Sequence, residues 1–206
     1  VKKTIVYLIR HGDLDNPNQV VYGRTIDLSL SQEGMQKIYS LANKIKERDE
    51  APISIYSSPL RRTIQTSEIL SKEFGGVPVV KDDGLIEIAS SEIDGKPLSF
   101  LADLYRKDEA LLQKKYGFED FSSVAERMMR TLDSFRIKNN FEVFFLVSHG
   151  DPLSLLFWKL LNPKESVMPL RAKWTEKYLK KGESWRVVFG TDGFEGYDHI
   201  SHNIYT

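Results

Sequence analysis

Three short clusters in this 206-residue chain bring together side chains that can hold an anion and attack it. Arg10, His11 and Gly12 form the first, and Ser148, His149, Gly150 and Asp151 the last. Between them, Ser57, Ser58, Pro59 and Leu60 lead into Arg61 and Arg62, supplying one or two guanidinium groups. Two of the four histidines thus stand in His-Gly pairs, where glycine lets a ligand approach the backbone closely. Guanidinium forks match phosphate oxygens in a bidentate way. Neighbouring positive charge also lowers an imidazole pKa, which keeps the ring neutral and nucleophilic near pH 7. Such a set suits phosphoryl transfer, in which catalysis is mostly positioning and charge stabilisation. The leaving oxygen needs a proton, and Glu87 is placed to give it, with Glu92 and Asp94 as competitors.

Each cluster follows an element that can position it. The apolar, β-branched run Thr4–Ile9 reads as a strand buried on both faces, and Phe141–Val147 as another. Ile53–Tyr56 and Val77–Val80 are shorter strands, and Ser184–Phe189 is a closing one before a turn at Asp192 and Gly193. Helical stripes lie between them. Met35, Ile38, Ala42 and Ile45 follow Ser31, while Leu60, Ile64, Leu70 and Phe74 follow an N-cap at Ser58 with Pro59 at the first helical position. A helix from Phe100 to about Tyr116 precedes a capping box at Ser123 and Glu126, and Leu153 to Leu161 carries the next stripe. A further helix is expected near Leu170–Leu179, and a mobile tail after the closing strand. This alternation indicates an α/β fold: three layers, α/β/α, with a mostly parallel sheet and an antiparallel edge strand. No linker divides the chain, so a single domain over 1–206 is expected, with 82–122 as a helical lid or insertion. In a parallel sheet ligands bind outside the carboxyl ends of the strands, which is where both histidines and the arginines fall.

Composition removes several alternatives. Lysine plus arginine equals aspartate plus glutamate at 29 each, which argues against a general nucleic-acid binder. The absence of cysteine excludes a disulfide scaffold, Cys-ligated zinc, an iron–sulfur cluster and thiol catalysis. The apolar run after Lys3 is too short for a signal peptide, and no run approaches a membrane span, so a cytoplasmic protein without a membrane partner is expected. Lys173, Lys177, Lys180 and Lys181 read as a solvated helix face. His199 and His202 have a spacing that could bind metal on a helix, but no helix is indicated there. The three tryptophans, Trp158, Trp174 and Trp185, read as packing residues. Nothing indicates an oligomeric state.

Four segments in order carry a family resemblance: Leu8–Gly12 (LIRHG), Ser57–Thr66 (SSPLRRTIQT), Leu85–Glu87 (LIE) and Val147–Gly150 (VSHG). Together they resemble the histidine phosphatase, or phosphoglycerate-mutase-like, superfamily. Tyr22 to Asp27, with Leu30, Ser31 and Gly34, is similar to that family's Gly-x-x-x-Asp-x-x-Leu-Thr-x-x-Gly stretch. The resemblance implies that His11 becomes a phosphohistidine. It implies that Arg10, Arg62 and His149 clamp the phosphoryl oxygens, Arg62 being the arginine before Thr63, and that Glu87 is the proton donor. No metal or cofactor is implied, and the partner expected is a small phosphorylated metabolite. Tyr22, Gly23 and Gly150 are expected to border the substrate.

Departures from the pattern concern the subsite. Asp13, Leu14 and Pro17 stand where the family commonly has Glu, Thr and Asn, so Asn16 or Asn18 is expected to supply the missing amide. Ser91 replaces the usual glycine after the acid, and Asp94 with Gly95 replaces Glu-Gly. Ile88 to Lys96 lacks the Tyr-Gly…Leu-Asn-Lys pattern of cofactor-dependent phosphoglycerate mutases, and the chain is shorter. A metal-independent phosphomonoester hydrolase is therefore expected, with a bisphosphate-primed mutase or a non-catalytic phospho-ligand sensor as alternatives.

Overall fold

The structure, a computed structural model, describes residues 2–104, 109–164 and 178–201. Among these, six strands form one sheet: β1 (Thr4–Arg10), β2 (Ser54–Ser57), β3 (Val79–Lys81), β4 (Val143–Ser148), β5 (Ser184–Gly190) and β6 (Gly193–Ile200). Their order is β3-β2-β4-β1-β5-β6. The first four run parallel, and β5 joins both β1 and β6 antiparallel. The helices are α1 (Gln32–Lys46), α2 (Arg61–Glu73), α3 (Leu98–Leu104), α4 (Glu109–Tyr116), α5 (Phe121–Lys138) and α6 (Gly150–Leu161).

Alternating side chains divide the core between the two faces of the sheet, as the period of two requires. Tyr7 and Ile9 of β1 and Phe145 and Val147 of β4 pack with Ile38, Leu41 and Ile45 of α1 and Leu70 of α2. Val6, Leu8, Phe144 and Leu146 pack the other way, against α5 and α6. The fold is thus a three-layer α/β/α arrangement with a mixed, mostly parallel sheet. Each such side chain taken fully out of water contributes roughly 1.5–3 kcal/mol. The helices that follow the neighbouring strands β1 and β4 leave to opposite faces, which opens a crevice at their carboxyl ends.

Several sequence expectations shift. Met35 is exposed, because α1 turns Gly34, Ile38, Leu41, Ala42 and Ile45 inward. α2 begins at Arg61 with Leu60 as N-cap and no side-chain cap, so Ser58 is not its capping residue. The buried face of α2 is mainly polar: Arg62, Thr63, Thr66 and Ser67 precede Leu70. α5 starts three residues earlier than the capping box suggests, with Asp120 accepting from the Ser123 N–H at 2.7 Å. Phe141 has φ 65° and precedes β4 rather than opening it. The segment expected as a tail is β6, paired along β5 from Gly193 to Ile200, and β6 is the sheet edge. The helix expected near Leu170–Leu179, with Lys173, Lys177 and Trp174, falls largely outside the described residues, as does His202.

Candidate active site

Arg10 and Ser148 are register partners, so the residues after them, His11 and His149, emerge side by side. Their ring centroids lie 5.4 Å apart at 63°, and both side chains are fully buried. His11 Nδ1 is 2.8 Å from the Gly12 carbonyl, which can only accept, so the proton sits on Nδ1 and Nε2 keeps its lone pair. That Nε2 is buried and has no hydrogen-bond partner among the described residues. Burial, with the Arg62 and Arg10 guanidiniums nearby, holds His11 well below the usual histidine pKa. His149 Nδ1 accepts from Arg62 Nε at 3.2 Å, which leaves Nε2–H to donate to Ser58 Oγ at 2.8 Å. Burial and the same charges keep His149 neutral as well. The serine that looked like a helix cap therefore fixes a histidine tautomer.

Arg62 is 1% exposed in the first turn of α2, an end where the helix dipole disfavours a cation. Its Nη2 donates to the Gly23 carbonyl at 2.8 Å, and its guanidinium lies 4.9 Å over the Tyr22 ring. Thr66 Oγ1 accepts from the Gly12 N–H at 3.3 Å while donating to the Arg62 carbonyl at 2.9 Å, tying α2 to the loop after β1. Arg10 donates through Nη1 to the Leu179 carbonyl at 2.8 Å and lies 4.9 Å over the Tyr178 ring. Its Nε is buried and unpartnered among the described residues, so donor capacity is left for an anion. Arg61, by contrast, is exposed, 3.8 Å from the Asp27 carboxylate.

Glu87 joins this group with its Oε2 3.8 Å from His149 Nδ1 and its side chain 14% exposed. Burial first, then the charge of Asp151, pushes its carboxyl up to about 7, against the pull of Arg62 and Arg10. The segment carrying it is clamped by its carbonyls. Arg127 Nη1 donates to Gly84 at 2.8 Å and Ile86 at 3.1 Å, Ser148 Oγ to Leu85 at 2.7 Å, and Arg24 Nε to Glu87 at 2.6 Å. Glu119 bridges Arg24 and Arg127 at 2.6 and 3.3 Å. The competing acids are elsewhere: Glu92 is exposed, and the Asp94 carboxylate accepts from Thr25. Arg24, Glu119 and Arg127 were not foreseen as site residues, and Ser58 and Asp151 stood in the sequence clusters without a role. Arg24 adjoins Tyr22 and Gly23 and Asp151 follows Gly150, but no local pattern marks Glu119 or Arg127.

A cavity of about 290 Å³ opens beside the cluster, its lining including Arg10, Tyr22, Gly23, Glu87, Asp151 and Lys181. Gly23 has φ +41°, and a Cβ there would stand 2.1 Å from the Asp94 carboxylate. A Cβ at Gly150 would meet the Tyr178 hydroxyl at 2.2 Å and Arg10 Cζ at 2.8 Å, so its bareness admits those side chains. Neither asparagine lines the cavity. Asn16 is committed to Val20, donating to its carbonyl at 2.8 Å and accepting from its N–H at 3.1 Å, while Asn18 is exposed. Asp13 pairs with Lys37 at 2.7 Å, and Leu14 is buried and bridges to Leu30, so these departures have structural roles. His199 pairs with Glu183 at 2.9 Å on β6, and Trp185 stacks on Phe157 at 3.9 Å. Among the described residues no three His, Asp or Glu side chains gather as a metal site, and no helix is long and apolar enough to cross a membrane.

A fold that delivers two neutral histidines, two guanidiniums and a raised carboxyl to one crevice defines a phosphohistidine-type enzyme. The chain belongs to the histidine phosphatase superfamily (branch 1), whose family model matches residues 6–179. Members of this class act as phosphatases or mutases without a metal. The chain is similar to the metal-independent phosphoserine phosphatase of Arabidopsis thaliana, 26% identical over 214 residues, covering 94% of this chain and 88% of that one. It is 29% identical over 152 residues to a 2,3-bisphosphoglycerate-dependent phosphoglycerate mutase of Thermoplasma acidophilum, covering 72% of each. The solved structure of Bacillus stearothermophilus YhfR has the same fold, with a TM-score of 0.75 at 22% identity over 93% of this chain and 94% of that one.

Proposed function

We propose that this enzyme hydrolyses a small phosphomonoester through a phosphohistidine on His11. The observation that carries the reading is the bare, unprotonated Nε2 of His11, set between two guanidiniums and beside a carboxyl that holds its proton near neutrality. His11 Nε2 attacks phosphorus in line as the bond to the ester oxygen breaks. Arg10 and Arg62 donate to the oxygens that spread the charge, and His149 acts on them through Arg62, whose guanidinium it orients. Glu87 gives its proton to the departing oxygen, so the alcohol leaves neutral. The resulting carboxylate then takes a proton from water as that water attacks the phosphohistidine. Inorganic phosphate leaves, and His11 and the protonated Glu87 are restored.

The segment 82–122, which carries Glu87 and the helices α3 and α4, acts in this reading as the lid that sets leaving-group preference. Hydrolysis is favoured over phosphoryl return because Ile88 to Lys96 lacks the Tyr-Gly…Leu-Asn-Lys pattern of the mutases. The test is p-nitrophenyl phosphate turnover in excess EDTA, wild type against His11→Ala, with acid-quenched protein probed for phosphohistidine. Turnover in chelator that falls at least ~10³-fold in the variant, together with the trapped adduct, is expected. Wild type that is inactive until primed by a bisphosphate would instead make it a mutase. Binding of phosphate with no turnover under either condition would make it a sensor.

A further inference from the structure

Residues 86–90, which include Glu87, lie between two single 3₁₀ turns, Asp83–Leu85 and Ser91–Ile93, and belong to neither a helix nor a strand. Their peptide groups therefore need partners from elsewhere in the fold. On one side of Ile88 the Glu87 carbonyl accepts from Arg24 Nε at 2.6 Å. On the other side the Ala89 N–H donates to Glu119 Oε2 at 3.3 Å, and the Ala89 carbonyl accepts from the Glu119 N–H at 3.0 Å. The same Oε2 accepts from Arg24 Nη2 at 2.6 Å and from Arg127 Nη2 at 3.3 Å. Glu119 thus aims both guanidiniums and offsets two like charges brought to one strip of chain. Between the clamped peptides, the Ile88 N–H donates to Glu87 Oε1 at 2.9 Å. The carboxyl is tied in this way to the main chain that Arg24 and Glu119 hold, and a shift of that chain carries the carboxyl with it.

We infer that Glu119 is a positioning residue for the proton donor: through Arg24, Arg127 and Ala89 it holds the Glu87 carboxyl at the departing oxygen, and it serves leaving-group protonation rather than the attack of His11. This rests on the hydrolase reading above, with Glu87 as donor. A general acid must stand within about 2.6–3.2 Å of the oxygen it protonates, so a small displacement of its main chain is costly. His11, Arg10, His149 and Arg62 stand on β1, β4 and α2 or directly after them, and the bonds made by Glu119 go to none of these four.

The experiment compares phenyl phosphate with p-nitrophenyl phosphate in single turnover of the full chain in EDTA. The two esters have similar shape, and their leaving groups differ in how far they need a proton. Wild type, Glu87→Gln, Glu119→Gln and the double variant are measured, with urea unfolding to follow folding. Glu119→Gln is expected to slow bond cleavage ~10–10²-fold on phenyl phosphate, the range for a group displaced by about 1 Å, and far less on p-nitrophenyl phosphate. Once Glu87 is glutamine, the second substitution should cost almost nothing more on phenyl phosphate, because the two residues act as a unit. Arg24→Met breaks the link from its other end and should show the same selectivity, which keeps the test decisive where Glu119→Gln does not fold. No loss, equal losses on both esters, or a loss that adds to that of Glu87→Gln overturns the inference and leaves the hydrolase standing. If Glu87→Gln itself slows both esters equally, the donor role fails and the inference with it. If neither ester is cleaved in a His11-dependent way, the hydrolase reading is what fails.

Discussion

Arg62 Nε donates to His149 Nδ1 at 3.2 Å, joining the first turn of α2 to the end of β4. A guanidinium cannot accept, so the bond sets His149 as an acceptor on that side and a donor toward Ser58 on the other. The same guanidinium reaches the Gly23 carbonyl at 2.8 Å through Nη2. One residue therefore fixes the tautomer of a second histidine and the position of the Tyr22–Gly23 loop.

Lysine cannot take over this role. A single ammonium on a flexible stem cannot span the directions occupied by Nε and Nη2. Arg62→Lys and Arg62→Ala should both reduce kcat/KM by about 10²–10³-fold, comparable to loss of a preorganised donor at the developing charge. Vanadate should inhibit both variants more weakly than wild type. Recovery of most activity in Arg62→Lys would show that charge alone matters and that the fork geometry does not.

Glu87 makes the pH dependence substrate-specific. With its carboxyl at about 7, the acid form that protonates the leaving oxygen is depleted as pH rises above that value. Alkyl phosphates, whose alcohols leave only when protonated, should lose turnover above pH ~7. p-Nitrophenyl phosphate, whose phenolate leaves unaided, should keep its bond-cleavage rate in single-turnover measurements. Glu87→Gln should cost ~10²–10⁴-fold on an alkyl ester and much less on the nitrophenyl ester. Equal losses on both would remove Glu87 from the role of proton donor.

The same displaced carboxyl affects stability. Glutamate ordinarily titrates near 4.5 and Glu87 in the fold near 7, so between these values the folded chain binds the extra proton. Its contribution is complete below pH 4.5 and is lost as pH rises through about 7. Replacing it with glutamine removes the dependence. The stability of Glu87→Gln relative to wild type should therefore grow between pH 5 and pH 8, by on the order of 3 kcal/mol. Urea unfolding at the two pH values measures it, and a pH-independent difference contradicts the displaced carboxyl.

Much of this architecture was readable in the sequence because it is written locally. β1 and β4 are continuous apolar runs, and their His-Gly endings fall on one side of a parallel sheet whatever the remaining details. The polar face of α2 was not readable, since Thr63, Thr66 and Ser67 satisfy their hydroxyls on carbonyls four or five residues back, with Thr66 also accepting from the Gly12 N–H, and so lie buried without being apolar. Ser58 carried a helix-cap signal that its bond to His149 overrides. The clamp on Glu87 joins residues as far apart as Arg24 and Glu119, and long-range pairing leaves no periodic trace. β6, with two glycines and few buried side chains, lacks the apolar pattern of a strand and exists because β5 offers it an edge.

Gly150 gives the sharpest test of how Arg10 is held. Alanine at this first position of α6 gains helix propensity, about 0.5–1 kcal/mol in a helix interior and less at its end. The added methyl, however, would lie 2.2 Å from the Tyr178 hydroxyl and 2.8 Å from Arg10 Cζ, distances no real Cβ shows. Either the Tyr178 ring or the guanidinium must move. Because Tyr178 donates to Asp151 at 2.9 Å and covers Arg10, both the anion-holding group and its cover are displaced together. Gly150→Ala should raise KM and lower kcat/KM more than ~10-fold while changing Tm little. If the clash with Tyr178 is the cause, adding Gly150→Ala to Tyr178→Ala should cost much less than adding it to wild type, since the ring is already gone. Such non-additivity is the mark of residues in contact. Losses that add would mean instead that Gly150 acts independently of the ring, through the backbone at the start of α6.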